Sequence, residues 1–231
     1  ENMAALQAEH PGVHEAESEE AAADAVEALV LAVKPHAVLP LISALSEGDR
    51  ELPLLISIAA AVTLDEMEER ACDGTRIVRA MPNTPCMVLS GVIAYSPGTA
   101  VTDEDEEAAR RLLSGCGSVF KVEESRMNAV SAISGCGPAY MFTALDALSD
   151  AGVAMGLPRK TALELAAGTM LGSALMLEQM GEHPMALRDA VTSPGGTTIA
   201  ALNALDECGF RNAWIQAVKS AVRRAEEMEG N

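Results

Sequence analysis

Ala28-Leu29-Val30-Leu31-Ala32-Val33 is an unbroken apolar run closed by Lys34-Pro35. A run without alternation fits a strand buried on both faces of a parallel sheet. Leu52 to Ile58 repeats the pattern, with Pro53 near its start, and Arg76 to Met81 follows as a third run that ends in Pro82-Asn83-Thr84-Pro85. Helical stretches lie between them. Ser18 is placed to cap a helix over 19–26, Val38 to Leu45 has helical spacing, and Thr63 with Glu66 has capping-box spacing over 63–72. Further on, Val92 to Tyr95 and Val119 to Val122 are short strands, and Thr102 caps an acidic helix through Leu113. Strand and helix alternate, which predicts a doubly wound parallel sheet whose ligands sit beyond the carboxyl ends of the strands. Lys34-Pro35 and Pro82-Asn83-Thr84-Pro85 occupy that position, where ordinary strand-to-helix turns would look the same. Upstream, Glu1 to Gln7 has the character of a helix end, broken by His10-Pro11-Gly12.

After Glu123 the pattern changes to helix alone. Ser134-Gly135-Cys136-Gly137-Pro138 opens a long helix to Met155, with Pro138 suited to a first turn. Helices are expected over 159–180, 184–191, 197–207 and 210–228. Their apolar, Ala- and Met-rich faces exceed what one small helical layer buries, which predicts a subunit interface.

The 231 residues carry a formal charge of −18, with 34 acids against 16 Lys and Arg, of which four are Lys. That balance argues against nucleic acid, whose phosphates require a basic face, and against anionic membrane surfaces. Acid-rich, Lys-poor surfaces are a device of salt-loving organisms, and a halophilic source is one reading. Cys72, Cys86, Cys116, Cys136 and Cys208 are odd in number and far apart, as expected of reduced cytosolic thiols rather than zinc ligands. His10, His14, His36 and His183 show no metal-ligand spacing, so no metal is predicted. No run is long enough to cross a membrane and no signal peptide is visible, so a cytoplasmic location is expected. The sequence opens on Glu1 rather than Met, and its start is expected to lie upstream.

Within the helical half, Thr192-Ser193-Pro194-Gly195-Gly196-Thr197-Thr198 separates two apolar-periodic segments, 185–191 and 199–205. Pro194 stiffens the turn, the two glycines permit positive φ, and the threonine hydroxyls fall where a helix begins. Two readings stand: a turn with an N-cap, or a seat for a small carboxylate or phosphate.

Four blocks in order carry a resemblance: Ala32-Val33-Lys34-Pro35, Arg79-Ala80-Met81-Pro82-Asn83-Thr84-Pro85, Gly135-Cys136-Gly137-Pro138-Ala139-Tyr140, and Leu187-Arg188-Asp189 with Thr192 to Thr198. Over nearly the whole chain the sequence resembles pyrroline-5-carboxylate reductase. The resemblance implies hydride transfer from NADPH or NADH to the C=N carbon of 1-pyrroline-5-carboxylate, giving L-proline. It implies an α/β Rossmann-type domain over 1–124 and an all-α substrate-binding and dimerisation domain over 125–231. It further implies a homodimer through the C-terminal helices, with rings of dimers common in the family. By the same resemblance Thr198 orients the imine nitrogen and relays a proton, and Ser193, Pro194, Gly195, Gly196 and Thr197 complete the substrate site. Val33, Lys34 and Pro35 would run along the dinucleotide, Asn83 and Thr84 would lie near the nicotinamide ribose, and Gly135, Gly137 and Pro138 near the nicotinamide.

The sequence departs from the family in one large respect. The family opens with a strand, a glycine-rich phosphate turn, a helix and a second strand, whereas the only glycine before Lys34 is Gly12. A β-α-β unit takes about 30 residues, so the Rossmann domain is expected to lack its first such unit and the 231-residue polypeptide to bind cofactor poorly. Cys136 stands where relatives usually have Ser. Glu19, after Ser18, stands where they often have Asn, which leans toward NAD because a carboxylate repels a 2′-phosphate. Two rival readings exist. Other two-domain dehydrogenases use a Lys acid, but Lys160 and Lys219 lack a glycine-bearing context and fit solvated helix charges. A non-catalytic paralogue acting as a dimerising scaffold would suit the missing start, but the intact 192–198 loop opposes it. His183 is expected as a cap or surface residue, Arg188 and Asp189 as structural charges, and Tyr140 as a packing residue.

Overall fold

The computed structural model describes residues 2–48 and 50–229. Packing divides the chain into two units: residues up to Gly135 with those from Arg224 onward, and Cys136–Arg223.

The first unit opens with α1 (Asn2–Glu9) and α2 (Glu19–Asp24); Glu1, part of the helix expected there, lies outside the described residues. Ser18 caps α2, its hydroxyl accepting the Ala21 N–H at 3.2 Å. Then come β1 (Ala28–Leu31), α3 (Pro35–Leu45), β2 (Leu54–Ser57), α4 (Leu64–Glu68), β3 (Ile77–Met81), β4 (Gly91–Pro97), α5 (Asp103–Ser114) and β5 (Gly117–Lys121). Helix α3 starts at Pro35, earlier than its apolar spacing suggested, because proline is pre-set for the first helical position. The capping box at Thr63 and Glu66 forms at α4, and Thr102 with Asp105 makes a second one at α5.

The five strands lie in chain order, β1-β2-β3-β4-β5. β1, β2 and β3 are parallel, with Val30 opposite Ile56 and Ile56 opposite Val78. The expectation of a wholly parallel sheet fails at β4, which runs antiparallel to β3, with Met81 opposite Ala94. The reason is length. Only 82–90 separate the two strands, and they hold a single 3₁₀ turn, Thr84–Val88. A parallel crossover needs about a dozen residues, so the chain can only turn back. β5 is again parallel to β4 through the α5 crossover. The sheet is mixed, and the starts of β4 and β5 share an edge with the ends of β1 to β3.

Each face has its own core. Leu31, Val38, Ile42, Leu55, Met67 and Ile77 pack between the sheet and α3 and α4. Leu54, Ile56, Val78, Ala80, Ile93, Tyr95 and Ala109 pack beneath α5. This two-sided burial is why β2 shows no alternation. Beyond β5 come a 3₁₀ turn (Glu124–Arg126), α6 (Met127–Val130) and a π-helical turn (Ser131–Gly135).

The second unit contains α7 (Gly137–Ala154), α8 (Arg159–Met180), α9 (Pro184–Ala190), α10 (Thr197–Glu207) and much of α11 (Phe210–Glu229). α7 and α8 form a hairpin turned at Gly156, whose φ is +95°. They meet where Gly152 faces Ala162; a methyl on Gly152 would stand 2.9 Å from the Ala162 Cβ. The unit buries little of its apolar surface. Phe142, Leu165, Leu171 and Val191 are each more than half exposed, far more than a solitary helical layer leaves open.

Candidate active site

Three turns line the carboxyl edge of the parallel strands. After β1, Lys34 is the extended N-cap of α3 and Pro35 its first residue, while Val33 is 40% exposed despite being apolar. After β2, Ser57 is fully buried and Ala61 adopts φ +57°, the left-handed region that L-residues avoid. This second turn went unremarked in the sequence; its signals are a lone serine ending an apolar run and the small residues Ala59 to Ala61. After β3 comes the turn holding Asn83 and Thr84. Asn83 Oδ1 accepts the Val92 N–H at 2.9 Å, and Asn83 Nδ2 donates to the Ser134 carbonyl at 2.9 Å. Asn83 is thus tied to the segment containing Gly135. A methyl on Gly135 would stand 3.2 Å from both Met81 Cε and Ser131 Oγ, so that backbone lies close against the end of β3.

One charge is buried under this edge. The Arg79 side chain is 5% exposed and pairs with Glu124 at 2.9 Å. The same carboxylate oxygen accepts the Leu64 N–H at the start of α4, at 2.6 Å. Glu124 therefore joins β3, α4 and the segment leaving β5. Away from the edge, α5 is held by Arg76 to Asp105 at 2.8 Å and by Tyr95 to Glu106 at 2.8 Å. Burial acts to raise the Asp105 carboxyl, but hydrogen bonds from Thr102 and the Arg76 charge outweigh it and the pKa falls. The Tyr95 phenol is pushed up to about 12, first by burial and then by its bond to Glu106 and that group's charge.

In the second unit, Ser193 to Gly196 forms a tight turn closed by the Gly196 N–H donating to the Ser193 carbonyl at 3.1 Å. Gly195 has φ +68°, and proline followed by positive-φ glycine marks a type II turn. The turn delivers the start of α10. Its N-cap is Gly196, with no side-chain cap bond. The first N–H groups of the helix remain outside the intrahelical ladder, beside the hydroxyls of Thr197 and half-buried Thr198. Thr192 is turned the other way, donating to the Arg188 carbonyl at 2.7 Å. His183 caps α9 through Nδ1, and Arg188 pairs with its neighbour Asp189 on an exposed face.

The third stretch, Gly137-Pro138, begins α7 after Cys136. Tyr140, one turn on, packs edge to face with Trp214 at 6.0 Å. Its phenol is raised by burial, then by Cys136. Lys160 and Lys219 are exposed, Lys160 lying 3.9 Å from Glu164. Among the described residues no group of three His, Cys, Asp or Glu is placed to hold a metal, and no helix is long and apolar enough to cross a membrane.

The carboxyl edge thus presents an exposed apolar Val33, a cation at Lys34, and a glycine at 135 where an added methyl would be tight against two side chains. In the second unit the open α10 N-terminus suits a small carboxylate.

Residues 124–228 match the family model for pyrroline-5-carboxylate reductase dimerisation. The chain is 44% identical to pyrroline-5-carboxylate reductase of Synechocystis over 207 residues, covering 90% of this chain and 77% of that protein. A pyrroline-5-carboxylate reductase structure from Coxiella burnetii superposes with a TM-score of 0.92 at 34% identity, covering 99% of this chain and 85% of that one. A Plasmodium falciparum pyrroline carboxylate reductase with NADP bound superposes with a TM-score of 0.83 at 32% identity, covering 92% and 81%.

Proposed function

The chain belongs to the pyrroline-5-carboxylate reductase family, and we propose on that premise that it reduces 1-pyrroline-5-carboxylate to L-proline with NADPH or NADH, the last step of proline biosynthesis. The scaffold alternative is not favoured, since the matching relatives are named as reductases. The nicotinamide supplies hydride to the imine carbon when bound.

The residues of this chain then divide the work. The turn Ser193-Pro194-Gly195-Gly196 and the first amides of α10, with Thr197, hold the substrate carboxylate against a helix N-terminus. The Thr198 hydroxyl orients the ring nitrogen and relays its proton. A protonated imine is already electrophilic, so no acid is required beside the carbon, and holding the reactants in place is the main catalytic contribution. Val33, Lys34, Pro35, Asn83, Thr84, Gly135, Gly137 and Pro138 line the cofactor side. We assign 1–124 to cofactor binding and 125–231 to substrate binding and dimerisation. The exposed apolar residues of α7 and α8 support a homodimer, which we extend to a ring of dimers in the cytoplasm.

The observation that carries this reading is the open N-terminus of α10, presented by a glycine turn beside two threonines. The test is reduction of 1-pyrroline-5-carboxylate with either nicotinamide, beside Thr198→Ala. Turnover should fall strongly in the variant while the dimer persists. Absence of turnover in the protein expressed from its complete gene would end the proposal, and near-normal turnover in the variant would remove Thr198 from the mechanism.

A further inference from the structure

We propose that Asn83 is a positioning residue: its side chain fastens the turn after β3 to the π-helical stretch Ser131–Gly135, so that two cofactor-facing segments keep one separation. This rests on the reductase reading above.

The local chemistry of Asn83 is unusual. It is the N-cap of the 3₁₀ turn Thr84–Val88, with extended φ −126° and ψ 168°, yet its side chain makes no capping bond. Asparagine is among the preferred capping residues. Here the amide faces away from its own turn and bridges two other places, using Oδ1 for Val92 at the start of β4 and Nδ2 for Ser134, 51 positions along the chain. The two bonds together require a side chain with both a donor and an acceptor, as an amide has.

The far end of the clamp also departs from regular structure. A π-turn breaks the i to i−4 ladder and is common at functional sites. Here the Ser134 carbonyl receives the Asn83 amide while the Ser134 hydroxyl donates to the Val130 carbonyl at 3.0 Å. Packing adds a second tie, because Met81, two residues before Asn83, presses against Gly135. The other end of the same segment is pinned by Glu124 to buried Arg79 and to Leu64. A buried ion pair is a weak source of stability compared with apolar packing, so its presence two strand positions before Met81 is better explained by register. The segment 124–135 is thus held at both ends against β3.

Hydride transfer requires near-attack geometry, and a misplacement of about 1 Å costs on the order of 10²-fold in rate. Asn83→Asp keeps the acceptor for Val92 and turns a carboxylate oxygen toward the Ser134 carbonyl, which opens the clamp. The expected result is a fall in kcat on the order of 10²-fold with KM for 1-pyrroline-5-carboxylate unchanged. The primary isotope effect with deuterated NADPH should rise, because hydride transfer becomes slow. Amide exchange over 131–135 should accelerate in the cofactor-free chain. A variant that only melts lower, with kcat and isotope effect unchanged, overturns the proposal. If the protein expressed from its complete gene does not turn over, the reductase reading fails on its own, and the exchange experiment still decides the clamp: unchanged exchange over 131–135 refutes it.

Discussion

Two adjacent glycines in the substrate turn should fail in different ways. Gly196 has φ −80° and ψ 178°, a conformation any residue adopts, so alanine there brings no backbone strain. Its methyl, however, would overlap Ser193 Oγ and stand 3.2 Å from the Ser193 carbonyl. Ser193 is exposed, and its hydroxyl can rotate away. Stability should therefore change by no more than about 0.5 kcal/mol. If that hydroxyl holds the substrate carboxylate, the lost charge-assisted bond is worth about 1.5–3 kcal/mol. At about 1.4 kcal/mol per decade this is roughly a 10- to 100-fold fall in kcat/KM, expressed in KM. Gly195→Ala is the opposite case. No atom of the described residues lies within 4 Å of the new methyl, but φ is +68°, and strain of about 1–2 kcal/mol is expected. Its urea midpoint should drop while kcat/KM stays near wild type as long as the turn is kept. Steady-state rates with varied 1-pyrroline-5-carboxylate at saturating NADPH, beside urea unfolding, separate the two. Wild-type kcat/KM in Gly196→Ala would refute the role given to Ser193, and the same stability loss in both variants would refute the strain assigned to Gly195.

Ala61→Gly should raise the unfolding free energy read from urea titration by about 0.5–1 kcal/mol, because relief of the left-handed strain exceeds the added freedom of the unfolded chain; a lower urea midpoint would show that the turn is not strained. The raised Tyr95 phenol favours the folded state below its unfolded pKa of about 10, and that contribution is lost as pH climbs toward about 12. Titration of phenolate absorbance in a Tyr140→Phe variant should therefore show no step near pH 10 in the folded chain; a step there without unfolding contradicts the burial of Tyr95. With a charge of −18, the melting temperature should rise between low and molar KCl as the screening length contracts from about 10 Å to about 3 Å. A flat or falling curve would remove the halophilic reading.

Much of this was visible in the chain of residues because apolar runs and caps act locally. Leu54 to Ser57 had to be a buried strand, whereas Ala28 to Leu31 forms its strand at the sheet edge with Val30 47% exposed, so the expected burial on both faces fails there. Ser18, Thr63 and Thr102 announce their helices through bonds made within three positions. Strand direction is not local. Val92 to Tyr95 would look the same in either sense, and only the shortness of 82–90 decides it. The π-turn at 131–135 was hidden for a related reason, since one extra residue barely disturbs helical periodicity. The double use of Asn83 and the burial of Arg79 depend on partners far along the chain, Ser134 and Glu124, and no spacing rule reports them. Ala61 left only the small-residue run 59–61 as a sign, because a lone alanine does not mark positive φ as a glycine does. The 192–198 loop announced a glycine turn, but which residue became the N-cap depended on backbone angles and not on which side chain could cap.

Trp214 is the only tryptophan in the sequence, and it sits edge-on to Tyr140 of α7 at 6.0 Å and to Phe210 of α11 at 5.8 Å. All three belong to the helical unit. The chain therefore carries an optical label on one unit alone. Indole emission follows the packing of α7 on α11, while the phenol of Tyr95 reports separately on the sheet. Loss of the two signals at different denaturant concentrations would show the units melting one after the other, and the same indole offers a direct view of the helix that begins at Gly137 whenever a ligand reaches it.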